Sequence, residues 1–184
     1  MAVYRDGQVT QSGTPGNHAL GGANHTSSTL AEVNAKISDL NAKPDLYGEM
    51  YISSSSGTVT DQTPTFTKIA GTYTSGSLNG FTHASGVLTY TGSVTRKFKV
   101  VASLTCDTNQ ADVFEFLIYK NTAGITQSEQ HRQVSVGDLG SISLISFVEL
   151  ATNDTIEVKV ARQGGTAATL TAEYMGVTIE AINW

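Results

Sequence analysis

Cysteine occurs once in the 184 residues, at Cys106, so no disulfide can close within one chain and no thiolate quartet is present to hold structural zinc. Charge is also scarce: Asp, Glu, Lys and Arg together make 15% of the chain, the net charge is −5, and no basic cluster exceeds the pair Arg96-Lys97. That leaves no electrostatic footprint for gripping a phosphate backbone, and nucleic acid is not expected as a partner. Three prolines without a glycine period exclude a collagen-like stalk. No window reaches the roughly 18 apolar residues of a membrane span. The opening MAVYRDGQVTQSG has neither the basic start nor the apolar run of a secretory signal. A soluble chain made in a reducing compartment is expected, with no membrane insertion.

Small hydroxyl residues are abundant instead. There are 25 Thr and 18 Ser beside 18 Gly, a composition that disfavours a helical bundle, which needs more Leu, Ala, Glu and Lys. The chain divides into three zones. Residues 1–26 are rich in Gly, Asn, Gln and Thr, show no apolar period and read as an extended N-terminal arm. Residues 27–44 read as one short helix. Leu30, Val33, Ile37 and Leu40 form the a/d seam of two brief heptads, Thr29 and Glu32 make a capping box, and Pro44 ends it. Burying four apolar side chains gains roughly 6–12 kcal/mol, less than the cost of ordering about fourteen residues at about 1.5 kcal/mol each. Such a helix needs a surface to lie on, or copies of itself held close by another oligomerising element.

Residues 45–184 read as an all-β domain. Short period-2 runs are expected at 46–53, 58–60, 65–70, 87–91, 95–106, 112–121, 131–136, 139–151, 155–161 and 168–182, separated by turn residues such as Asn79-Gly80, Asn153-Asp154 and Gly164-Gly165. That number of strands fits a two-sheet sandwich. In RKFKVVASLTC, Phe98, Val100, Ala102, Leu104 and Cys106 point one way, and Lys97, Lys99, Ser103 and Thr105 the other. Two strands depart from this alternation. In VFEFLIYK, Val113, Leu117 and Tyr119 oppose Phe114, Phe116 and Ile118; in SISLISFVEL, Ile145 and Phe147 oppose Ile142, Leu144, Val148 and Leu150. A second apolar face must be covered by a loop or by another subunit. Because the a/d helix independently asks for partner chains, Val113, Leu117, Tyr119, Ile145 and Phe147 are the candidate interface residues of the β domain.

The segment order GVLTYTGSVTRKFKVVASLTC, VFEFLIYKNTAGI, GSISLISFVELATNDTIEVKVAR and TAEYMGVTIEAI resembles the trimeric jelly rolls of the C1q and tumour necrosis factor type, and especially those of phage fibres and head decorations. The likeness covers roughly residues 46–184. HTSSTLAEVNAKISD is similar to the coiled segments that join phage arms to knobs. The resemblance implies a homotrimer: a C1q/TNF-like β-sandwich knob (45–184), a trimeric helical coiled-coil neck (27–44) carrying Leu30, Val33, Ile37 and Leu40 at its seam, and an attachment arm (1–26). It implies a virion structural protein, a capsid decoration or head fibre on the virion surface, whose arm binds the major capsid protein or another virion component. The animal relatives' cysteines and collagen-like stalk are absent, so a secreted signalling role is not carried over.

Catalytic motifs are missing. His18, His25, His83 and His131 are scattered and read as solvated or hydrogen-bonded residues, Cys106 as a buried inert thiol, and no HExxH, GxSxG, Walker or DxDxDG pattern occurs. Neither an enzyme nor a cofactor is expected, nor a metal, although Asp61, Asp107, Asp112, Asp138 and Asp154 near turns leave a calcium or sugar site as the lesser alternative. The alternative function is a tail-fibre or receptor-binding, lectin-like knob. In that reading apex loops 72–86 and 121–131 meet host-surface carbohydrate through Tyr73, Phe81 and His83.

Overall fold

Period-2 alternation with turn residues at regular intervals produces two antiparallel sheets facing one another across an aromatic and aliphatic core. The computed structural model describes residues 31–34 and 45–182. The chain divides into two units, Met1–Lys43 and Pro44–Trp184. In the first, residues 31–34 are helical and Val33 is 40% exposed. Leu30, Ile37 and Leu40 of the expected neck, and the whole of the expected arm, lie outside the described residues. No helix among the described residues is long and apolar enough to cross a membrane.

In the second unit, β1 (Tyr47–Ser55), β2 (Gly57–Thr60), β4 (Gly71–Asn79), β7 (Arg96–Thr108), β11 (Gly140–Leu150) and β13 (Ala168–Ala181) make the first sheet, in the order β11-β7-β13-β1-β4 with β2 also on β13. The second sheet runs β10 (Gln130–Val134), β8 (Asp112–Lys120), β12 (Thr155–Arg162), β6 (Val87–Tyr90), β5 (Phe81–Ala84), with β3 (Thr67–Lys68) on β12 and β9 (Ala123–Gly124) on β8. A 3-10 turn, Thr126–Ser128, follows β9.

The inward set read from β7 forms the floor of the core: Phe98, Val100, Ala102 and Cys106 are fully buried and Leu104 nearly so. Phe98 also joins an aromatic trio with Phe81 and Tyr90, their ring centroids 5.0–5.3 Å apart in tilted and edge-on arrangements. Tyr90 reaches the end of the core, where its hydroxyl donates to the Val94 carbonyl at 2.8 Å.

The strands β4 and β5 were not expected from sequence. GTYTSGSLNGFTHA reads as loop because Gly, Ser, Thr and Asn dominate it, yet β4 pairs along β1 while β5 pairs with β6 in the opposite sheet. Asn79-Gly80 carries the chain between sheets. Gly80 has φ +75° and a side chain there would run into Leu46. Region 72–86 is therefore a sheet edge and a crossover, which corrects its reading as an open apex loop.

The second apolar face of β8 is closed mainly by its own chain. Leu117 is 5% exposed, with Gly124 of β9 so close that a methyl group there would lie 3.1 Å from Leu117 Cδ2. The Ser128 hydroxyl accepts from the Ile118 amide at 2.9 Å and donates to the Ile125 carbonyl at 2.7 Å, fastening the β9 return beside β8. Tyr119 lies against the Phe66 ring, centroids 5.8 Å apart, with Lys159 Nζ 4.5 Å from its own centroid. Loop cover accounts for Leu117, and this corrects its reading as an interface residue; Val113 and Tyr119 are half-buried.

Candidate functional site

The outer face of the first sheet can be assembled row by row, since residues opposite one another in an antiparallel ladder share a face. Phe147 lies opposite Lys99, Lys99 opposite Glu180 and Glu180 opposite Tyr47. The next row is Ile145, Val101, Thr178 and Glu49; the one after it is Ser143, Ser103, Gly176 and Tyr51. Tyr174, opposite Thr105, completes the face. All these side chains point away from the core.

The four most exposed large side chains among them are apolar or aromatic: Phe147 is 66% exposed, Ile145 53%, Tyr174 75% and Tyr51 46%. They fall at two ends of one surface, Ile145 and Phe147 on the edge strand β11 and the two tyrosines over β13 and β1. Between them lies a floor of small residues, Ser103, Ser143 and Gly176, and a groove of about 440 Å³ is bounded by Tyr51, Tyr174, Ser53 and Gly176. Nothing lies within 4 Å of where a Cβ on Gly176 would stand. The Lys99–Glu180 pair at 3.0 Å is exposed on both sides and adds little to stability.

Of the five interface residues expected from sequence, the structure brings Ile145 and Phe147 onto this face and places Val113, Leu117 and Tyr119 on the other sheet. Tyr51 and Tyr174 were missed. Simple alternation from Leu170 and Ala172 turns residue 174 inward, but a bulge between Ala172 and Tyr174 inserts one residue, so Tyr174 faces out and Met175, 2% exposed, faces in.

The suggested carbohydrate trio separates. Phe81 is 5% exposed and belongs to the core, which corrects its reading as a ligand-stacking residue. Tyr73 is half-buried, and its hydroxyl donates to the Ile69 carbonyl at 2.6 Å. Burial, then the nearby Glu157 carboxylate, pushes that phenol well above its ordinary value. His83 Nε2 accepts from the Gly86 amide at 3.2 Å, leaving Nδ1 to donate to the Ser75 hydroxyl at 3.0 Å. Burial lowers the His83 pKa from its ordinary 6.5. The folded protein therefore binds this proton less readily than the unfolded chain, and stability present above pH 6.5 is lost as pH falls below it. Urea midpoints should drop between pH 7 and pH 5, and His83→Gln should show a smaller drop; equal drops would remove His83 as the source.

Cys106 is fully buried, and burial, against a lowering influence of Arg132 and a raising one of Asp107, pushes its thiol up to about 11. It is the inert core thiol the sequence suggests. Asp154 serves a turn. Burial alone would raise its pKa, but donors from Asn121, Lys120 and the Ala151 amide hold the carboxyl down at about 2.

Two facing sheets in this strand order, with the last long strand at the centre of one sheet, can be compared with solved structures. Murine APRIL superimposes with a TM-score of 0.53 at 8% identity, over 76% of this chain and 100% of that one. The globular domain of zebrafish complement 1qA does so with 0.53 at 10%, over 77% and 98%. This is the TNF/C1q jelly-roll fold. Eiger TNF from S. frugiperda agrees, with 0.52 at 11% identity over 77% and 94%. No family model matches the sequence, and no curated protein does. Identities this low carry the jelly roll and nothing about its ligands.

Proposed function

We propose that the chain is a homotrimeric virion structural protein, a capsid decoration or head fibre, whose residues 1–26 attach it to the particle and whose residues 27–44, preceding the jelly-roll knob in the chain, form a short helical neck. The observation that carries the oligomeric part is the exposed apolar face of the first sheet. Ile145 and Phe147 at one end and Tyr51 and Tyr174 at the other put four exposed large side chains on a single sheet face, where exposed apolar residues are otherwise scattered singly. Because the apolar edge on β11 and the tyrosine-walled groove are different patches, contact of one with the other on the next copy is heterologous, and a rotation of one third of a turn between copies closes such contacts into a three-membered ring. Three knobs then hold three neck helices at high effective concentration, which supplies what the short a/d seam of Leu30, Val33, Ile37 and Leu40 lacks alone.

The virion assignment is supported by the sequence resemblance and by the low-charge, Gly- and Asn-rich arm, which suits extended docking on a partner through backbone hydrogen bonds, multiplied by threefold avidity. The role is structural rather than catalytic. Deleting residues 1–26 should leave a trimer that no longer sediments with particles; a truncated knob that still decorates them would overturn the attachment reading.

A further inference from the structure

The second sheet carries a group of side chains that the proposed role does not use. Glu115 on β8 lies directly opposite His131 on β10, and Glu129 closes the 3-10 turn two residues before His131. One ligand atom from each of these three residues lies within 4.8 Å of the others. The sequence alone reads His131 as solvated or hydrogen-bonded, because residues 115 and 131 become neighbours only through the β8–β10 register.

The environment of Glu115 is the second observation. It is 5% exposed, the only Asp, Glu, Lys or Arg among the buried residues described. No Lys or Arg pairs with it among the described residues; its partner is the neutral Gln163 amide, whose Nε2 donates to Oε1 at 2.8 Å. The nearby imidazole is engaged elsewhere, His131 Nε2 lying 2.7 Å from Glu129 Oε1. A carboxylate withdrawn from water without a cation is costly, and a second carboxylate beside it adds repulsion. Glu115 lies on the face of β8 opposite Phe114, Phe116 and Ile118, which belong to the core between the sheets.

We propose that Glu115, Glu129 and His131 form a binding site for a divalent metal ion of the zinc class. Two carboxylates and one imidazole suit zinc, three protein ligands leaving a fourth position for water. The Gln163 amide bridges Glu115 and His131. That amide now donates to His131 Nδ1 at 2.9 Å, so the proton sits on Nε2. On binding, the imidazole proton moves from Nε2 to Nδ1, where it turns to water, and Nε2 offers its lone pair to the metal while the ring stays neutral; the Gln163 amide gives up Nδ1 and keeps its bond to Glu115. Glu129 and His131, 34% and 43% exposed at the side chain, have room to draw in toward the fixed Glu115. The site is on the opposite sheet from the apolar face and stands whether or not copies associate there.

The test is calorimetric titration of the chelator-stripped full-length protein with zinc chloride, then with calcium and magnesium chloride, followed by cobalt(II) absorption. One zinc per chain is expected with a Kd of about 10 μM or tighter. His131→Ala and Glu129→Gln should each weaken it at least tenfold and abolish the tetrahedral cobalt bands, whereas His83→Ala should leave both unchanged. If Glu115→Gln does not fold, the two exposed-ligand variants suffice, with circular dichroism as the check on folding. Absence of zinc binding at that concentration, affinity unaltered in His131→Ala and Glu129→Gln, or preference for calcium would each overturn the proposal.

Discussion

Ile145→Asp combined with Phe147→Asp should convert the protein from three associated chains to single chains of 19.4 kDa in light scattering. Both side chains lie on the exposed edge strand β11 of the first sheet, 53% and 66% accessible in the isolated chain, so their replacement removes no contact from the chain's own core. In a trimer each interface loses about 1.5–3 kcal/mol of burial for each of the two side chains. The new carboxylates must also be dehydrated, which adds to the loss. Val136→Asp is the control: Val136 is 60% exposed in the turn between β10 and β11, outside the first sheet's face, and the mass should not change. A native chain that already scatters as a single copy, or a double variant that stays associated, would end the trimer reading.

Phe98→Ala should be the most destabilising single change within the jelly roll. Phe98 is fully buried on β7, the strand paired on both sides by β11 and β13, and its ring touches Phe81 and Tyr90 across the sandwich at centroid distances of 5.2 and 5.0 Å. Truncation costs about 3–5 kcal/mol through lost transfer energy and the cavity left behind. For a domain of this size that is a fall of roughly 10 °C in melting temperature. Phe98→Leu should recover most of it. A loss under about 1 kcal/mol by urea denaturation would mean that the trio is not the centre of the core.

Much of the β domain is legible in the residues. The ten runs expected from alternation correspond to ten of the thirteen strands among the described residues, because each has one face that must be dry. The jelly roll itself was reached by resemblance, and the comparisons with APRIL and complement 1qA bear it out at the level of fold. The three strands missed, β4, β5 and β9, are short or rich in Gly, Ser and Thr. They are held by pairing with strands such as β1, β6 and β8 rather than by an apolar period of their own.

The candidate surface was half legible. Ile145 and Phe147 could be read because β11 alternates without interruption and both of its phases are greasy. Leu117 was misread for the same reason: alternation reports that a face is apolar but not what covers it, and here the β9 return does so.

By itself the sequence determined the two-sheet architecture, the inward row from Phe98 to Cys106 and the surplus of apolar strand surface, since these follow from a local period of two. Tertiary structure decided which apolar face stays open, through one inserted residue on β13 that turns Tyr174 outward, and through the β8–β10 register that sets Glu115 against His131. Side-chain direction repeats along a strand, but a bulge resets it and a ladder joins residues far apart in the chain, and neither leaves a trace in the local pattern.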